Sequence, residues 1–289
     1  MTEDISFAVI GGSGLYDFPG LTNSELLDVD TPFGNTSSQI LSGSLHGRRI
    51  AFLARHGKGH KISPTEVNYR ANIYALKKLG TRSIVSISAC GSLQEGFAPG
   101  DIVIPNQLFD HTHNRVRSFF ENGIVVHVGV GDPFCERLNL EIFRSLKSTG
   151  TSKVHPGGKL ITIEGPRFST KNESNIYRSW GLSLIGMTAS PEAFLAREAE
   201  ICYSTMAHVT DYDVWHTSEL PVSVEMVVKT LKENTGIAIK AISHLVQNIK
   251  EDSFCSCESA LESAIITNKN DISPEIIDRL GIIIDKYIH

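Results

Sequence analysis

The stretch Ile201-Cys-Tyr-Ser-Thr-Met-Ala-His-Val-Thr-Asp-Tyr-Asp-Val-Trp215 decides how the chain reads. A mostly apolar, strand-like run from Ile201 to Val209 ends in two acids, Asp211 and Asp213. Acids at a strand exit commonly face a site. A carboxylic acid held there can accept a proton from an amino group and hand its own to a ring nitrogen, the two contacts that a 6-aminopurine offers. Taken alone, Thr210-Asp-Tyr-Asp213 is equally a turn that caps the next helix.

Outward from this stretch, short apolar runs alternate with amphipathic ones, the rhythm of an α/β domain. Strands are predicted at Phe7–Ile10, Arg49–Ala54, Ser83–Ile87, Ile102–Ile104, Lys159–Ile163, Ser183–Ile185 and Ile201–Val209. Helices are predicted at Pro64–Leu79, Glu136–Leu146, Asn172–Trp180, Pro191–Glu198 and Ser223–Lys250, the last with Ser223 as N-cap and Glu225 in its first turn. No repeat or linker divides the chain, so residues 1–289 read as a single domain, with about 251–289 as a helical extension near Pro274–Tyr287.

Polar motifs begin where these strands end. Gly11-Gly-Ser-Gly14 follows the first, but the dinucleotide spacing requires a glycine where Asp17 stands, and Pro19-Gly20 breaks the helix that should hold a pyrophosphate. A smaller anion fits better: glycines let amides converge on a phosphate, and Ser13 adds a hydroxyl. Arg55-His56 follows Ala54 directly and brings a guanidinium fork and a second donor to the same sheet edge. His56 and His60 have helical metal-ligand spacing, but Gly57 and Gly59 argue against a helix.

The formal net charge of −5 offers no field for nucleic acid or an anionic membrane, so an anionic substrate needs local arginines and amides. No apolar stretch spans a bilayer, and Met1-Thr-Glu-Asp4 is acidic where a signal peptide is basic, which favours the cytoplasm. Five cysteines, at 90, 135, 202, 255 and 257, do not suggest a secreted disulfide framework. Cys255-Ser-Cys257 can form a strained loop or bind metal; with no second pair nearby in sequence, no metal is expected. Cys90 lacks an evident histidine partner and reads as a buried thiol.

Ile10-Gly-Gly-Ser-Gly-Leu15, Leu53-Ala-Arg-His-Gly57, Ser88-Ala-Cys-Gly-Ser92, Pro99-Gly-Asp-Ile-Val103, Thr162-Ile-Glu-Gly-Pro-Arg-Phe-Ser169, Gly186-Met-Thr188 with Pro191-Glu192, and Thr210-Asp-Tyr-Asp-Val-Trp215 occur in this order. Through them the chain resembles the 5'-methylthioadenosine phosphorylases of the trimeric purine nucleoside phosphorylase family. The resemblance implies a mixed twisted β-sheet surrounded by helices and the phosphorolysis of S-methyl-5'-thioadenosine, with inorganic phosphate as co-substrate and no cofactor. It implies phosphate contacts from Ser13, Arg55, His56, Ser88, Ala89 and Thr188. Phe168 is similar to the family's aromatic wall on the base, Ser169 and Asp213 to its polar supports, and Met187 to the floor under the ribose.

By the same resemblance Asp211 is the general acid, kept protonated by burial against Phe168 and Met187 and by repulsion from Asp213. Relatives acting on 6-oxopurines have Glu where Ser169 stands and Asn where Asp211 stands. Gly186 replaces an asparagine of the animal enzymes and would leave room for water. Val224 and Val227 would line the methylthio group, although valines at this spacing also suit a core stripe. His127 would enter from a neighbouring subunit of a homotrimer, or of a dimer of such trimers. Some microbial relatives carry a Cys-Ser-Cys that can be oxidised. A methylthioinosine or 6-oxopurine nucleoside phosphorylase, and a non-catalytic nucleotide-binding module, are the alternatives.

Overall fold

The computed structural model describes residues 4–12, 18–151, 153–216, 223–250 and 255–288, without the side chains of 226 and 231–233. Among them, eleven strands form one sheet. They are β1 (Phe7–Gly11), β2 (Thr22–Leu27), β3 (Ile40–Leu45), β4 (Arg48–Ala54), β5 (Ser83–Ser92), β6 (Ile102–Ile104), β7 (Gln107–His111), β8 (Val154–Pro156), β9 (Lys159–Ile163), β10 (Leu184–Gly186) and β11 (Cys202–Asp211). The α-helices are α1 (Tyr69–Lys78), α2 (Glu136–Ser148), α3 (Lys171–Ser179), α4 (Ala189–Glu198), α5 (Val224–Asn248) and α6 (Pro274–Leu280). None of the described helices is long and apolar enough to cross a membrane.

Strand periodicity builds two cores. Phe7 and Val9 of β1, with Ile50 and Phe52 of β4, enter the layer that α2 and α5 cover through Leu138, Ile142, Ala241 and Leu245. Ala8 and Ile10, with Ala51 and Leu53, enter the opposite layer under Ile73 and Leu76 of α1 and Ala193 and Ala196 of α4.

The strand order β2-β3-β4-β1-β5-β10-β9-β7 forks at β5, which also pairs with β11. β5 is parallel to β1 from Ser83 to Ser86 and antiparallel to β10 at Gly91 and Ser92. Between Ser86 and Gly91 that edge of β5 has no strand partner among the described residues, so a crevice opens where the sheet changes neighbours. β1, β4, β5 and β11 are mutually parallel where they pair, so all four C-termini reach the same rim.

The predicted strands are all present, with β5 and β11 running past their expected ends and Ser183 falling just outside β10. Four strands, β2, β3, β7 and β8, carry no signal that sequence reading detected. The first helix begins at Tyr69 rather than Pro64, where Asn68 accepts from the Ala71 amide. The terminal helix stops at Leu280, because Gly281 leaves the helix with φ +42°.

Candidate active site

Residues from three of the rim strands meet in the crevice. Ser88 and Ala89 lie where β5 is open on the edge shared by β1 and β10, while on the other edge they pair with Ala207 and His208 of β11. Thr188 is the N-cap of α4 but does not cap it; its hydroxyl lies 3.0 Å from Ser88 Oγ. Both side chains are buried. Two hydroxyls thus converge on the space that β5 leaves open.

Arg55, which follows β4, is buried and donates from Nη2 to Ser86 Oγ at 2.6 Å. Its fork does not face the crevice as expected: Nε and Nη2 donate to Glu192 at 2.7 and 2.8 Å, leaving Nη1, 3.4 Å from the Ile87 carbonyl. Burial disfavours the guanidinium charge, but Glu192 outweighs burial and raises its pKa above the ordinary value. Tyr203 donates to the same carboxylate at 2.8 Å. Arg55 is therefore a fixed positive charge behind the hydroxyls.

His56 differs from the expectation of a second donor. Its Nδ1 lies 2.9 Å from the Ile62 carbonyl, which can only accept, so Nδ1 carries the hydrogen. Burial first, and then the charge of Arg55, lowers its pKa to about 4. The ring is neutral near pH 7 and Nε2 is left as an acceptor. Its ring stacks on His60 at 4.3 Å.

At the other side of the crevice Asp211 pairs with Gly91, three residues beyond Ser88 on β5. Asp211 is 4% exposed. Its Oδ2 accepts from Thr210 Oγ1 and its Oδ1 from the Asp213 amide, both at 2.7 Å. Burial raises its pKa against these two bonds. The expected repulsion falls on the other acid: Asp213 is pushed up to about 6, by burial first and by the Asp211 charge among the rest. Asp213 Oδ2 is buried with no hydrogen-bond partner among the described residues.

Ile185 stands beside the acid where Gly91 pairs with Asp211. A Cβ built on Gly91 would lie 3.0 Å from both Asp211 Oδ1 and Ile185 Cγ2. Met187 instead packs against the small cluster of Leu93, Ile161, Ile163 and Ile185. Phe168, in the loop before α3, is 38% exposed, while Ser169 is buried with no hydrogen-bond partner for its hydroxyl among the described residues. A Cβ added at Gly186 would meet Cys90 Sγ at 3.2 Å, so the thiol lies close against this glycine. Burial pushes the Cys90 thiol up to about 12, so it is inert as expected.

Val224 and Val227 lie in the first turn of α5, Val224 68% exposed and Val227 partly so, which excludes a core stripe. His127 is exposed, on a loop where its amide donates to the Ala264 carbonyl at 2.9 Å. Ser13 lies outside the described residues.

Several supporting residues escaped sequence reading. Arg115 donates to the carbonyls of Met187, Ser190 and Glu164 at 2.7 to 2.8 Å and to the Glu164 carboxylate at 3.2 Å, so one buried side chain locks the turn carrying Thr188 to the loop leading to Phe168. Trp215 donates to the Ser92 carbonyl at 2.7 Å under the Arg178 guanidinium, 3.5 Å from its ring centroid, and so fixes the segment after Asp211. Only Pro191-Glu192 gave a local hint of Glu192.

The cysteine reading also needs correction. Cys135 and Cys202 stand beside Cys255 and Cys257, with all four sulfurs within 4.8 Å of one another. The second pair comes from α2 and β11, which folding brings to the C-terminal segment. All four are free thiols.

A forked α/β sheet with a pair of buried hydroxyls at one end of the crevice and a buried acid at the other suits a nucleoside phosphorylase, and residues 6–248 match the model of the phosphorylase superfamily. The chain is 50% identical to the S-methyl-5'-thioadenosine phosphorylase of Geobacter sulfurreducens over 97% of its own length and 98% of the relative's. It superposes with a TM-score of 0.93, at 44% identity and over 97% and 99% of the two chains, on a methylthioadenosine phosphorylase from an antarctic soil metagenomic library. A variant of the adenosine/methylthioadenosine phosphorylase of Schistosoma mansoni, solved with methylthioadenosine, aligns at 34% identity and TM-score 0.83 over 90% and 96%. The chain belongs to the methylthioadenosine phosphorylase family.

Proposed function

We infer that the chain is a pentosyltransferase that cleaves S-methyl-5'-thioadenosine with inorganic phosphate, giving adenine and 5-methylthio-α-D-ribose 1-phosphate, a salvage reaction. The observation that carries this is the register of β5 and β11. It sets the Ser88–Thr188 hydroxyl pair three strand residues, roughly 10 Å, from the pairing of Gly91 with Asp211, a span that a ribose can bridge.

Phosphate attacks C1' from the Ser88, Ala89 and Thr188 side, with Arg55 as the charge behind it and Ser13 as a further donor. His56 accepts a hydrogen bond from the protonated oxygen of phosphate through Nε2. As the glycosidic bond breaks, the ribose becomes cation-like and the base gathers negative charge. Asp211 donates its proton to N7 and accepts from the 6-amino group. Ser169 and Asp213 support the base, Phe168 covers it and Met187 underlies the ribose. The reaction needs no organic cofactor.

Val224 and the partly exposed Val227 close the methylthio pocket, and His127 completes the site of a neighbouring subunit in a homotrimer. This assembly is supported by the exposure of Val224 and His127, and the partial exposure of Val227, in the single subunit. One assay tests the reading: methylthioadenosine, methylthioinosine, adenosine and inosine, each with and without phosphate. Adenine release from methylthioadenosine that requires phosphate is expected, with adenosine poorer. Faster cleavage of the two 6-oxopurines would replace this reading by that of an oxopurine phosphorylase, and binding without cleavage by that of a nucleotide-binding module.

A further inference from the structure

We propose that Cys135, Cys202, Cys255 and Cys257 form a tetrathiolate site for one structural zinc ion, which staples the C-terminal segment to the sheet. Four sulfurs from three separate segments meet: Cys135 is the N-cap of α2, Cys202 opens β11, and the other two flank Ser256. Cys135, Cys202 and Cys257 are buried and Cys255 is partly so.

The spacing suits a single ion. A tetrahedron with metal–sulfur bonds of about 2.3 Å has edges of about 3.8 Å. Every pair here lies within 4.8 Å, and Cys135 Sγ and Cys255 Sγ are 3.6 Å apart. An iron–sulfur cluster spreads its four thiolates farther apart, because they are divided between two or four irons.

The charges around the sulfurs give an independent reason. Four thiolates and a divalent cation carry a net charge of −2, and two guanidiniums point at the sulfurs. Arg137 Nη2 lies 3.4 Å from Cys202 Sγ, and Arg197 Nη1 lies 3.4 Å from Cys257 Sγ. Four neutral thiols would not need two cations, whereas a zinc tetrathiolate is neutralised by them and its sulfurs gain N–H donors.

The ion has no part in the reaction. Cys202 and Asp211 stand at opposite ends of β11, nine residues or about 30 Å apart. Zinc would instead fasten the segment after α5, which otherwise joins the body through contacts such as the Arg82–Glu258 ion pair and the Leu261 amide on Glu200.

Metal analysis of the chain purified under reductant and without chelator decides the matter before any variant is made. About one zinc per subunit is expected, and cobalt(II) in its place should show the ligand-field absorption of a tetrahedral tetrathiolate. Cys255→Ser/Cys257→Ser should lose the zinc and unfold at lower temperature, yet keep methylthioadenosine turnover below that temperature. Metal-free protein with all its thiols titratable, bound iron, or a mass lowered by disulfide formation under the same reductant would each overturn the proposal. Loss of turnover on zinc removal while the chain stays folded would overturn its structural role.

Discussion

Gly91 and Asp211 stand opposite each other on parallel strands, so close that a Cβ on Gly91 would lie 3.0 Å from Asp211 Oδ1 and 3.3 Å from Asp213 Cβ. The absence of a side chain at 91 sets where the acid sits. Gly91→Ala must move the carboxylate or Ile185. A shift of a few tenths of an ångström at the acid should lower kcat for methylthioadenosine by about 3-fold to 10-fold. The KM for phosphate should change much less, since Ser88 and Thr188 lie outside the clash. Steady-state kinetics in both substrates checks this, and an unchanged kcat would show that the acid's position is not critical.

Arg55→Ala should do two separable things. Glu192, fully buried, loses its bidentate partner, which should cost about 3 to 5 kcal/mol of stability. The positive charge behind the hydroxyls also disappears, which should weaken phosphate by up to about one decade, less than the loss of a direct charge-assisted contact, because the fork is turned to Glu192. Arg55→Ala/Glu192→Gln should recover much of the melting temperature and none of the phosphate affinity. A double variant with normal phosphate dependence would remove Arg55 from the anion site.

Val224 is solvent-exposed in the subunit, so Val224→Asp should leave its stability nearly unchanged. A charge against the methylthio group should damage methylthioadenosine cleavage far more than adenosine cleavage. In the unaltered enzyme an apolar pocket disfavours a hydroxyl by only about 10-fold to 200-fold, so adenosine should remain a detectable substrate. Equal losses on both substrates would place Val224 elsewhere.

His208 is fully buried, neither ring nitrogen has a hydrogen-bond partner among the described residues, and burial pushes its pKa down to about 4. The folded state thus excludes a proton that the unfolded chain binds near pH 6.5. Its contribution to stability is complete above that pH and is lost as pH falls towards 4. His208→Leu removes this loss, so its melting temperature should drop less than that of the unaltered chain between pH of about 7.5 and about 5. Parallel drops would show that His208 does not drive acid unfolding.

The parts of the fold legible in sequence were those whose residues speak locally. Strands such as Phe7–Gly11 and Cys202–Asp211 are contiguous runs buried throughout, and the motifs begin at their ends. By contrast, β2 is an almost wholly exposed edge strand, Thr-Asn-Ser-Glu-Leu-Leu, with no alternation to detect. β3 hides Ser42 and Gly43, and a Cβ at Gly43 would strike Leu21 at 2.6 Å. The site residues were recognisable, but what orients them was not. The Arg55 fork is turned by Glu192, 137 positions away, and Arg115 clamps carbonyls 49 to 75 positions away. The cysteine cluster was missed for the same reason: Cys135 and Cys255 are 120 positions apart and meet only through tertiary packing.

The central claim is that Asp211 protonates the leaving adenine, and the direct measurement is turnover of Asp211→Asn on methylthioadenosine and methylthioinosine near pH 7. Asparagine keeps the shape and can donate to O6 of an oxopurine, but it has no acidic proton for N7. Turnover of methylthioadenosine should fall on the order of 100-fold to 10000-fold. Methylthioinosine should gain relative to it, only in part, because Ser169 does not supply the carboxylate that oxopurine relatives place there. An Asn variant that cleaves methylthioadenosine at the original rate would contradict both the acid role and the choice of base that rests on it.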